Sequence, residues 1–531
     1  MKKFKSVVAA AMAATMVLTM TACDEEVTPS GSNGGGSAPT TNNGGTPPAN
    51  GGESSVDNTP ASTRSEYSDD KVIEAVTQLK DQLEEPDMTV EKRIKWLAWY
   101  NIEESTPAGE LFKSVYGTPA TGDIEEFDGR IFEWVRCDYA NRYDKLATSI
   151  QSNDSPDLFP FEGTDFPYGI IMNRYQAVGD ILDLSSEKWA NAKDLMEQFK
   201  LNGKYYCAFW DITLGSLMWY KKSAIADIGA EDPQELFKQG LWDWDHFTEI
   251  GRKWQQSGTD DAPRYLYDGW GAEDNLLLSA GVPLVSNEGG KLKSNMHDPN
   301  LERAIAFIDT LVNEKLYYPR HEVNSYSINP KAWCNNLNLF FCTGVWGYEG
   351  TGWTGEKSDT TTRDGLKDYR IMYNWPEDEI KVVPFPKDPQ SDKHYVQLKQ
   401  DSFMWCKGST NRNGVKAWID CSATAAMDPK TTEAAKQQSI DNPTKQWTAE
   451  LLDFLYPLYK LDGTSPVTPI VEYKTGLGPS VYDSQKGESP VPSLTSYMYL
   501  GGEDTSSFVQ LRETHESAIN AAIDDLNKRL E

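Results

Sequence analysis

Two hydrophobic periods follow each other near the start of the folded body. Val72, Val76 and Leu79 recur at the spacing of a helix face, and Pro86 ends that helix because proline cannot continue its hydrogen bonding. The run 93–101 then has apolar side chains at every second position, which predicts a β-strand. A helix followed by such a strand favours an α/β fold.

Aromatic and polar residues come directly after this strand. Ligands in open α/β sheets bind beyond the carboxyl ends of the strands, so the topology places this cluster at a candidate site. Its members are Trp99, Tyr100, Asn101 and Glu103. Trp99 can equally pack under the first helix. Glu162 follows a short strand predicted at 158–160, and it either accepts hydrogen bonds from ligand hydroxyls or is a solvated loop carboxylate.

A glycine-rich aromatic stretch at 335–353 carries the clearest binding signal in the chain. Its apolar run at 337–341 predicts a buried strand, and four glycines then allow sharp turns. Flat rings on a bent loop suit stacking against the apolar face of a sugar. The same rings can instead only cap the core. The aromatic residues assigned here are Trp346, Tyr348 and Trp353, together with Trp270 from an earlier segment.

The segment around residue 200 combines a tight turn with strands and a helix. Asn202 and Gly203 predict a hairpin turn. Strands are predicted at 205–210 and 217–220. Asp245 is expected to cap the following helix. Trp210 and Asp211 lie between the two strands, where they can face a ligand.

The N-terminus predicts export. Residues 1–22 have a lysine-rich start and an apolar run too short to span a membrane, as in a signal peptide. Small residues before Cys23 resemble a bacterial lipobox, with Met20 in place of the usual leucine, so Cys23 is the expected lipidation site. An ordinary signal peptide with an incidental cysteine is the alternative. Residues 23–70 are rich in Gly, Ser, Thr, Asn and Pro, which predicts a disordered tether.

Composition limits the classes of binding partner and the kinds of site that can be expected. With 80 acidic and 51 basic residues the net charge is −29, which argues against nucleic acid and acidic glycans. The body is too long for one compact core, so two lobes are expected. The cysteines after Cys23 form no CxxC pair, and we predict neither a metal site nor a cofactor. Cys334 and Cys342 are close enough in sequence for a disulfide, although buried thiols fit equally.

Motifs in the middle of the chain resemble a known family. They are Asn202-Gly203-Lys204-Tyr205-Tyr206, a strand ending Trp-Tyr-Lys-Lys at 219–222, then Gly229, Pro233 and Trp-x-Trp-Asp-x-Phe at 242–247. This pattern is similar to the extracellular solute-binding proteins of family 1, which are sugar-binding lipoproteins and periplasmic proteins that serve ABC importers. The run Gly344-Val-Trp346-Gly-Tyr348 is similar to the Gly-Pro-Trp-x-Trp of maltose-binding proteins, whose aromatics stack on glucosyl rings. Lys221 replaces the usual asparagine, which affects pocket detail more than fold.

The resemblance implies an α/β fold of two hinged lobes, a type II periplasmic-binding-protein-like fold. Each lobe is expected to have a central mixed β-sheet flanked by helices, and the chain is expected to cross between lobes near 211–216, 389–401 and 442–449. The implied division is 71–212 for the first lobe, 213–395 for the second, 396–445 for a return to the first, and 446–531 for a C-terminal helical segment mainly in the second.

The implied function is capture of a carbohydrate, with an oligosaccharide favoured, by hinge closure and without catalysis. A lipid-anchored monomer is expected on the cell surface or the periplasmic face of the bacterial cytoplasmic membrane, with ABC permease subunits as partners. The expected ligand-binding residues are Trp99, Tyr100, Glu103, Glu162, Trp210, Asp211, Trp270, Trp346, Tyr348 and Trp353.

Other functions fit parts of the sequence. A lipid-anchored glycoside hydrolase would need paired carboxylates, and no motif fixes such a pair. No Ser-His or Cys-His arrangement stands out among only five histidines. A surface glycan-binding protein without a transporter would have the same sequence features. The acidic charge also leaves a peptide or a polyamine as a ligand class.

Overall fold

A computed structural model gives the fold of the chain. It describes residues 69–84, 88–117, 130–320, 328–350, 365–399, 402–443, 445–482, 489–494 and 507–531. The predicted signal peptide, nearly all of the predicted tether, Cys23 and Trp353 lie outside the described residues. Among the described residues, no helix combines the length and the apolar character that crossing a membrane requires.

Short strands alternate with helices along the chain. The strands are β1 Ile94–Ala98, β2 Phe132–Arg136, β3 Leu158–Pro160, β4 Lys200–Leu201, β5 Lys204–Tyr205, β6 Thr213–Leu214, β7 Leu217–Lys221, β8 Tyr265–Gly269, β9 Val285–Glu288, β10 Lys291–Ser294, β11 Asn338–Thr343, β12 Ile380–Val383, β13 His394–Lys399, β14 Phe403–Trp405 and β15 Val467–Ile470.

The helices lie mostly between these strands. They are α1 Asp69–Thr77, α2 Pro107–Tyr116, α3 Arg142–Gln151, α4 Tyr168–Ile171, α5 Lys193–Gln198, α6 Lys222–Asp227, α7 Pro233–Lys238, α8 Trp244–Gln256, α9 Ala272–Leu278, α10 Pro299–Asn313, α11 Pro330–Cys334, α12 Val345–Glu349, α13 Leu366–Met372, α14 Arg412–Met427, α15 Pro429–Asp441, α16 Ala449–Leu455 and α17 Phe508–Leu530.

Two mixed sheets organise the molecule. The first has the order β14-β3-β1-β2, with β1 parallel to β2 and β3 and with β14 antiparallel to β3. The second has the order β12-β7-β11-β8, with β7 antiparallel to both neighbours and β11 parallel to β8. We call the bodies built on these sheets the first lobe and the second lobe.

A third, smaller sheet links the lobes. Its order is β15-β13-β6, and β13 runs antiparallel to β6 and parallel to β15. We call it the linking sheet. Because β6 lies within 211–216 and β13 within 389–401, two of the segments predicted to cross between the lobes run side by side.

Each lobe buries its own aromatic core. In the first lobe, Trp418 of α14 packs edge-on against Phe132 at 4.6 Å between ring centroids and contacts Phe403 at 6.0 Å. In the second, Trp242 contacts Phe247 at 5.8 Å, and both rings are fully buried. Burial of aromatic area of this size contributes several kcal/mol to folding of each lobe.

Most local predictions are confirmed. Asn202 and Gly203 join β4 to β5 with φ of +47° and +71°, which is the conformation that a two-residue hairpin turn requires. The run at 337–341 lies largely in β11, which is buried throughout. The strand predicted at 205–210 is wrong beyond Tyr205, where β5 ends.

Helix boundaries differ from two predictions. Asp243 caps α8, because its side chain accepts a hydrogen bond from the His246 amide at 3.0 Å, whereas Asp245 lies inside the first turn. The apolar pattern predicts the final helix over 517–530, but the helix begins at Phe508, because Ser507 and Gln510 form a capping box there.

The carbonyl of Gln198, the last residue of α5, accepts hydrogen bonds from two other parts of the chain. The Gln198 oxygen accepts from the Asn287 side-chain amide of β9 at 2.7 Å and from the Tyr473 hydroxyl at 2.5 Å. The Tyr473 amide donates to the Val285 carbonyl of β9 at 3.1 Å. Three parts of the chain that are far apart in sequence are therefore held together at this point by direct polar contacts, outside the linking sheet.

Candidate functional site

The first wall of the candidate site lies at the carboxyl ends of β1, β2 and β3. Trp99 follows β1 and contacts Tyr139, which follows β2, at 4.9 Å between ring centroids. Glu162 follows β3 and reaches Arg142 of α3 at 3.3 Å. Since these strands are parallel, three successive loops meet at one edge, as the sequence predicted for Trp99 and Glu162.

Arg142 is the structural centre of this wall. Its guanidinium carbon lies 3.6 Å from the centroid of the Tyr139 ring and 4.2 Å from that of Tyr143, at cation–π distance from both. Nη1 donates to the Tyr139 carbonyl at 2.6 Å, and Nη2 also reaches the hydroxyls of Tyr143 and Thr164 at 3.1 and 3.2 Å. The residue is 2% exposed, so the cation is held inside the protein by rings and oxygens.

Burial also changes the pKa values of titratable groups in this wall. It raises the pKa of the Tyr139 phenol well above its usual range, and the nearby Glu162 acts in the same direction. Burial raises the pKa of Asp165 to about 6, although Arg174 and Tyr175 oppose the shift. At neutral pH Tyr139 is therefore a neutral phenol.

Aromatic rings form a continuous row from the chain crossing to this wall. Successive ring centroids in the row are between 4.9 and 6.1 Å apart. The members are, in spatial order, Trp210, Phe403, Trp96, Tyr100, Trp99 and Tyr139. Trp96 is buried, Trp210 and Trp99 are half-buried, and Tyr100 is 43% exposed. The row thus presents part of its aromatic surface to solvent.

The second wall lies at the carboxyl ends of β8 and β11. Trp270 follows β8 and Trp346 lies in α12 after β11, and the two half-buried rings contact at 5.2 Å between centroids. A side chain at Gly344 would place its Cβ 2.5 Å from Nε1 of Trp346 and 3.2 Å from the Gly215 carbonyl. Glycine is needed there because the indole packs directly over the backbone.

Residues 445–447 contact both lobes. Lys445 forms an ion pair with Glu103 of the first lobe at 3.5 Å. Trp447 stacks on Tyr348 at 4.2 Å and donates from Nε1 to Glu349 of α12 at 2.8 Å. This segment lies within 442–449, where the third crossing was predicted.

Tyr348 does not lie on an accessible wall. Its ring is 0% exposed and stacks between Trp219 and Trp447, and its hydroxyl donates to the Gln446 carbonyl at 2.6 Å. The ligand contact expected for Tyr348 is therefore corrected to a packing role. Residues two positions apart on a helix point to nearly opposite sides, so Tyr348 of α12 faces the core while Trp346 stays half-buried.

The remaining predicted residues have different surroundings. Tyr100 and Glu103 are exposed on the first wall, and Trp210 and Asp211 are half-buried beside the linking sheet. Trp353 lies outside the described residues. The structure thus brings together Trp99, Tyr100 and Trp210 through the aromatic row, and Trp270 with Trp346.

Sequence reasoning missed Tyr139, Arg142 and Tyr143. Tyr139 lies in the loop after β2, and Arg142 and Tyr143 are the first residues of α3, which follows that loop, so the rule about strand ends would have identified this region. The buried ion pair of Arg142 with Glu162 had no such signal, because their distance depends on how α3 packs against the loop after β3.

Within the described ranges, no group of three His, Cys, Asp or Glu side chains is arranged to hold a metal ion. The six cysteines after Cys23 are all buried free thiols, including Cys334 and Cys342. Burial raises the pKa of Cys334 to about 12. The bridge considered from their sequence spacing is absent from the structure.

Comparison with known families gives a match over most of the chain. The profile described as bacterial extracellular solute-binding protein matches residues 125–437. A search of proteins with curated functions finds no significant match.

Solved structures with a similar fold are found over most of the chain. The GacH receptor of Streptomyces glaucescens, solved unliganded and with acarbose, has a TM-score of 0.53 at 14% identity and covers 82% of this chain and 99% of its own. The sugar-binding protein MalE of Xanthomonas citri has a TM-score of 0.52 at 13% identity and covers 83% of this chain and 97% of its own.

A third example is the galacto-N-biose/lacto-N-biose I-binding protein of a Bifidobacterium longum ABC transporter, solved with lacto-N-biose. Its TM-score is 0.52 at 10% identity, and the alignment covers 82% of this chain and 98% of its own. At such identities the likeness concerns the fold, and the predicted fold of two α/β lobes, type II, is confirmed.

Proposed function

This chain belongs to the family of bacterial extracellular solute-binding proteins, and from that premise we propose that it captures a carbohydrate for an ABC importer. The family consists of binding proteins that work outside the cytoplasm, and the proposed activity makes and breaks no covalent bond. The proposed ligand is an oligosaccharide, held between the two lobes.

The observation that carries this proposal is the pair of aromatic walls. Trp99 and Tyr139 form one, Trp270 and Trp346 the other, and residues 445–447 contact both lobes beside them. Aromatic faces beside carboxylates such as Glu162 are the surface that a sugar ring requires, since its CH face stacks and its hydroxyls donate hydrogen bonds. The row of rings from Trp210 favours several sugar units over one.

Hinge closure is the proposed mechanism. A ligand that contacts both walls stabilises the closed arrangement only through contacts that the open arrangement lacks. Bending at the linking sheet would bring the walls together, which is the motion that periplasmic binding proteins exemplify. The closed form would then dock on permease subunits of the importer, with the receptor as a monomer.

A thermal-shift screen of neutral mono- and oligosaccharides tests the proposal. A ligand that binds only the folded state raises the unfolding free energy by about 2.7 kcal/mol at a hundred times its dissociation constant. We expect at least one oligosaccharide to raise the melting temperature by several degrees. A flat response to every sugar, with a positive response to peptides or polyamines, would refute the carbohydrate assignment.

The proposal includes a lipid anchor on Cys23 and a tether over residues 23–70. The lipobox-like sequence supports the anchor, and export agrees with the family. Expressed in a bacterial host with its N-terminus intact, the protein should enter the detergent phase on Triton X-114 partitioning. The Cys23→Ala variant should remain in the aqueous phase. Equal partitioning of both proteins would remove the anchor from the proposal.

The proposed division into lobes follows the predicted boundaries, 71–212 and 396–445 for the first lobe and 213–395 for the second. The C-terminal part, 446–531, is assigned mainly to the second lobe. Its helix α17 supports this assignment, because Asn527 hydrogen-bonds both the amide and the carbonyl of Leu292 in β10 at 2.8 and 2.9 Å.

A further inference from the structure

Two of the proposed ligand-binding carboxylates already have a cationic partner. Glu162 pairs with Arg142 at 3.3 Å, and Glu103 pairs with Lys445 at 3.5 Å. The two pairs differ in burial. The side chains of Arg142 and Glu162 are 2% and 14% exposed, whereas those of Lys445 and Glu103 are 32% and 59% exposed. Only the first pair is shielded from solvent ions.

The guanidinium of Arg142 makes its contacts with the protein itself, so it is not a direct ligand contact. Its guanidinium is enclosed by the rings of Tyr139 and Tyr143 and donates to the Tyr139 carbonyl, the Thr164 hydroxyl and Glu162. The cation therefore fixes Glu162 in one orientation and balances its charge. Glu162 also accepts a hydrogen bond from the Thr164 hydroxyl at 3.3 Å. It can still accept hydrogen bonds from ligand hydroxyls, since the two oxygens of a carboxylate accept about four hydrogen bonds in all.

From this geometry we propose that the Arg142–Glu162 pair selects neutral saccharides against charged ones, with Arg142 as a positioning residue. This inference rests on the proposed carbohydrate function and narrows its ligand class. A uronic acid would bring a second carboxylate next to Glu162, and an amino sugar would meet a carboxylate that is already neutralised. The carboxylate of the uronic acid and the ammonium of the amino sugar would each lose hydration on binding, and neither would find an opposite charge without a partner of its own.

Two reciprocal variants test the selection. Glu162→Gln leaves the Arg142 cation without its counter-ion, so we expect affinity for trigalacturonate to rise about tenfold or more over the original protein. Arg142→Gln leaves the Glu162 anion alone, so we expect the same gain for the fully deacetylated glucosamine trisaccharide. Calorimetry at low salt measures both, with maltotriose as the neutral trisaccharide.

Controls separate selection from misfolding. The double variant Arg142→Gln/Glu162→Gln restores neutrality and should lose both gains. Glu235→Gln is the charge-matched control: it removes the carboxylate of the exposed Lys238–Glu235 pair on α7, outside the candidate site, and should change affinity for either charged trisaccharide by less than about twofold, because solvent screens that pair. Circular dichroism checks the fold of each variant, and if one single variant does not fold, the reciprocal one still decides.

The outcomes are distinct from those of the sugar screen. If either folded single variant shows no gain for its charged trisaccharide, or if the original protein binds trigalacturonate as tightly as the Glu162→Gln variant does, the selection role is overturned. If the unmodified protein responds to no neutral sugar, the proposed function fails, whatever the charged trisaccharides do. Gains of the expected sign in both variants support charge balance as the basis of selection.

Discussion

Among single residues, Trp346 and Tyr348 show how two aromatic positions two residues apart acquire different roles. Trp346 is half-buried against Trp270, and Tyr348 is enclosed between Trp219 and Trp447. Only the first retains surface on which a sugar can stack. A motif that places rings near each other in sequence therefore does not by itself identify which ring meets the ligand.

We predict that Trp346→Ala weakens sugar binding by roughly 2 kcal/mol, about thirtyfold, as for a central aromatic contact. Calorimetry with a sugar from the screen measures the change. Tyr348→Phe is the matched control. It removes only the hydrogen bond to Gln446, so it should leave affinity within about twofold and lower stability by about 1 kcal/mol. Unchanged affinity in Trp346→Ala would move the site elsewhere.

A second prediction concerns His394 of the linking sheet and the dependence of stability on pH. Burial lowers the pKa of His394 from 6.5 to about 4, and its ring packs against Phe237 at 4.7 Å. The folded protein thus keeps the imidazole neutral while the unfolded chain takes up a proton near pH 6.5. Its contribution to stability is complete above that pH and is lost as the pH falls toward 4.

The expected loss between pH 7.5 and pH 5 is about 2 kcal/mol from His394 alone. Asp165 acts with the opposite sign, because its raised pKa favours proton uptake by the folded state. Comparing the original protein with His394→Phe at both pH values in urea unfolding isolates the histidine. Parallel pH profiles for the two proteins would contradict the assigned burial effect.

Among secondary-structure elements, the sequence rules place some turns correctly and misplace some helix caps by one or two residues. The hairpin at Asn202 and Gly203 is predictable because only residues tolerant of positive φ fit that turn. The cap of α8 is not, because the sequence offers Asp243 and Asp245 in alternate positions. Which one lies before the first turn depends on the approach of the chain, fixed here by the Trp244 amide bonding to the Lys387 carbonyl at 3.0 Å.

We expect Asp243→Ala to lower the free energy of unfolding by about 1 kcal/mol, because the His246 amide loses its acceptor. Asp245→Ala should change it by less than about 0.5 kcal/mol. Guanidinium unfolding of the two variants, alike in composition, measures the difference. An equal effect of both substitutions would show that helix charge and not the cap dominates.

At the scale of the whole molecule, the sequence pattern and the family resemblance predicted two lobes and the regions where they join. They could not predict which charged side chains lie within ion-pair distance of each other. The pairs Arg142–Glu162 and Lys445–Glu103 form only when separate elements pack together. Side chains at strand ends are predictable from topology, whereas the pairing of charges between loops depends on packing to within an ångström.

Ligand binding should also change the shape of the molecule. We predict that a sugar from the screen reduces the radius of gyration in small-angle X-ray scattering, because closure brings the lobes nearer. Trp346→Ala, at the same ligand concentration, should show a smaller reduction. An unchanged scattering profile at saturating sugar would indicate binding without closure.

If the proposed closure keeps both hydrogen bonds to the Gln198 carbonyl, from Asn287 and Tyr473, that carbonyl would be the fixed point of the rotation. A rotation that keeps both bonds moves nearby atoms least and moves atoms far from it most, in proportion to the lever arm. Solvent and long glycans would then enter and leave at the end of the groove remote from this contact.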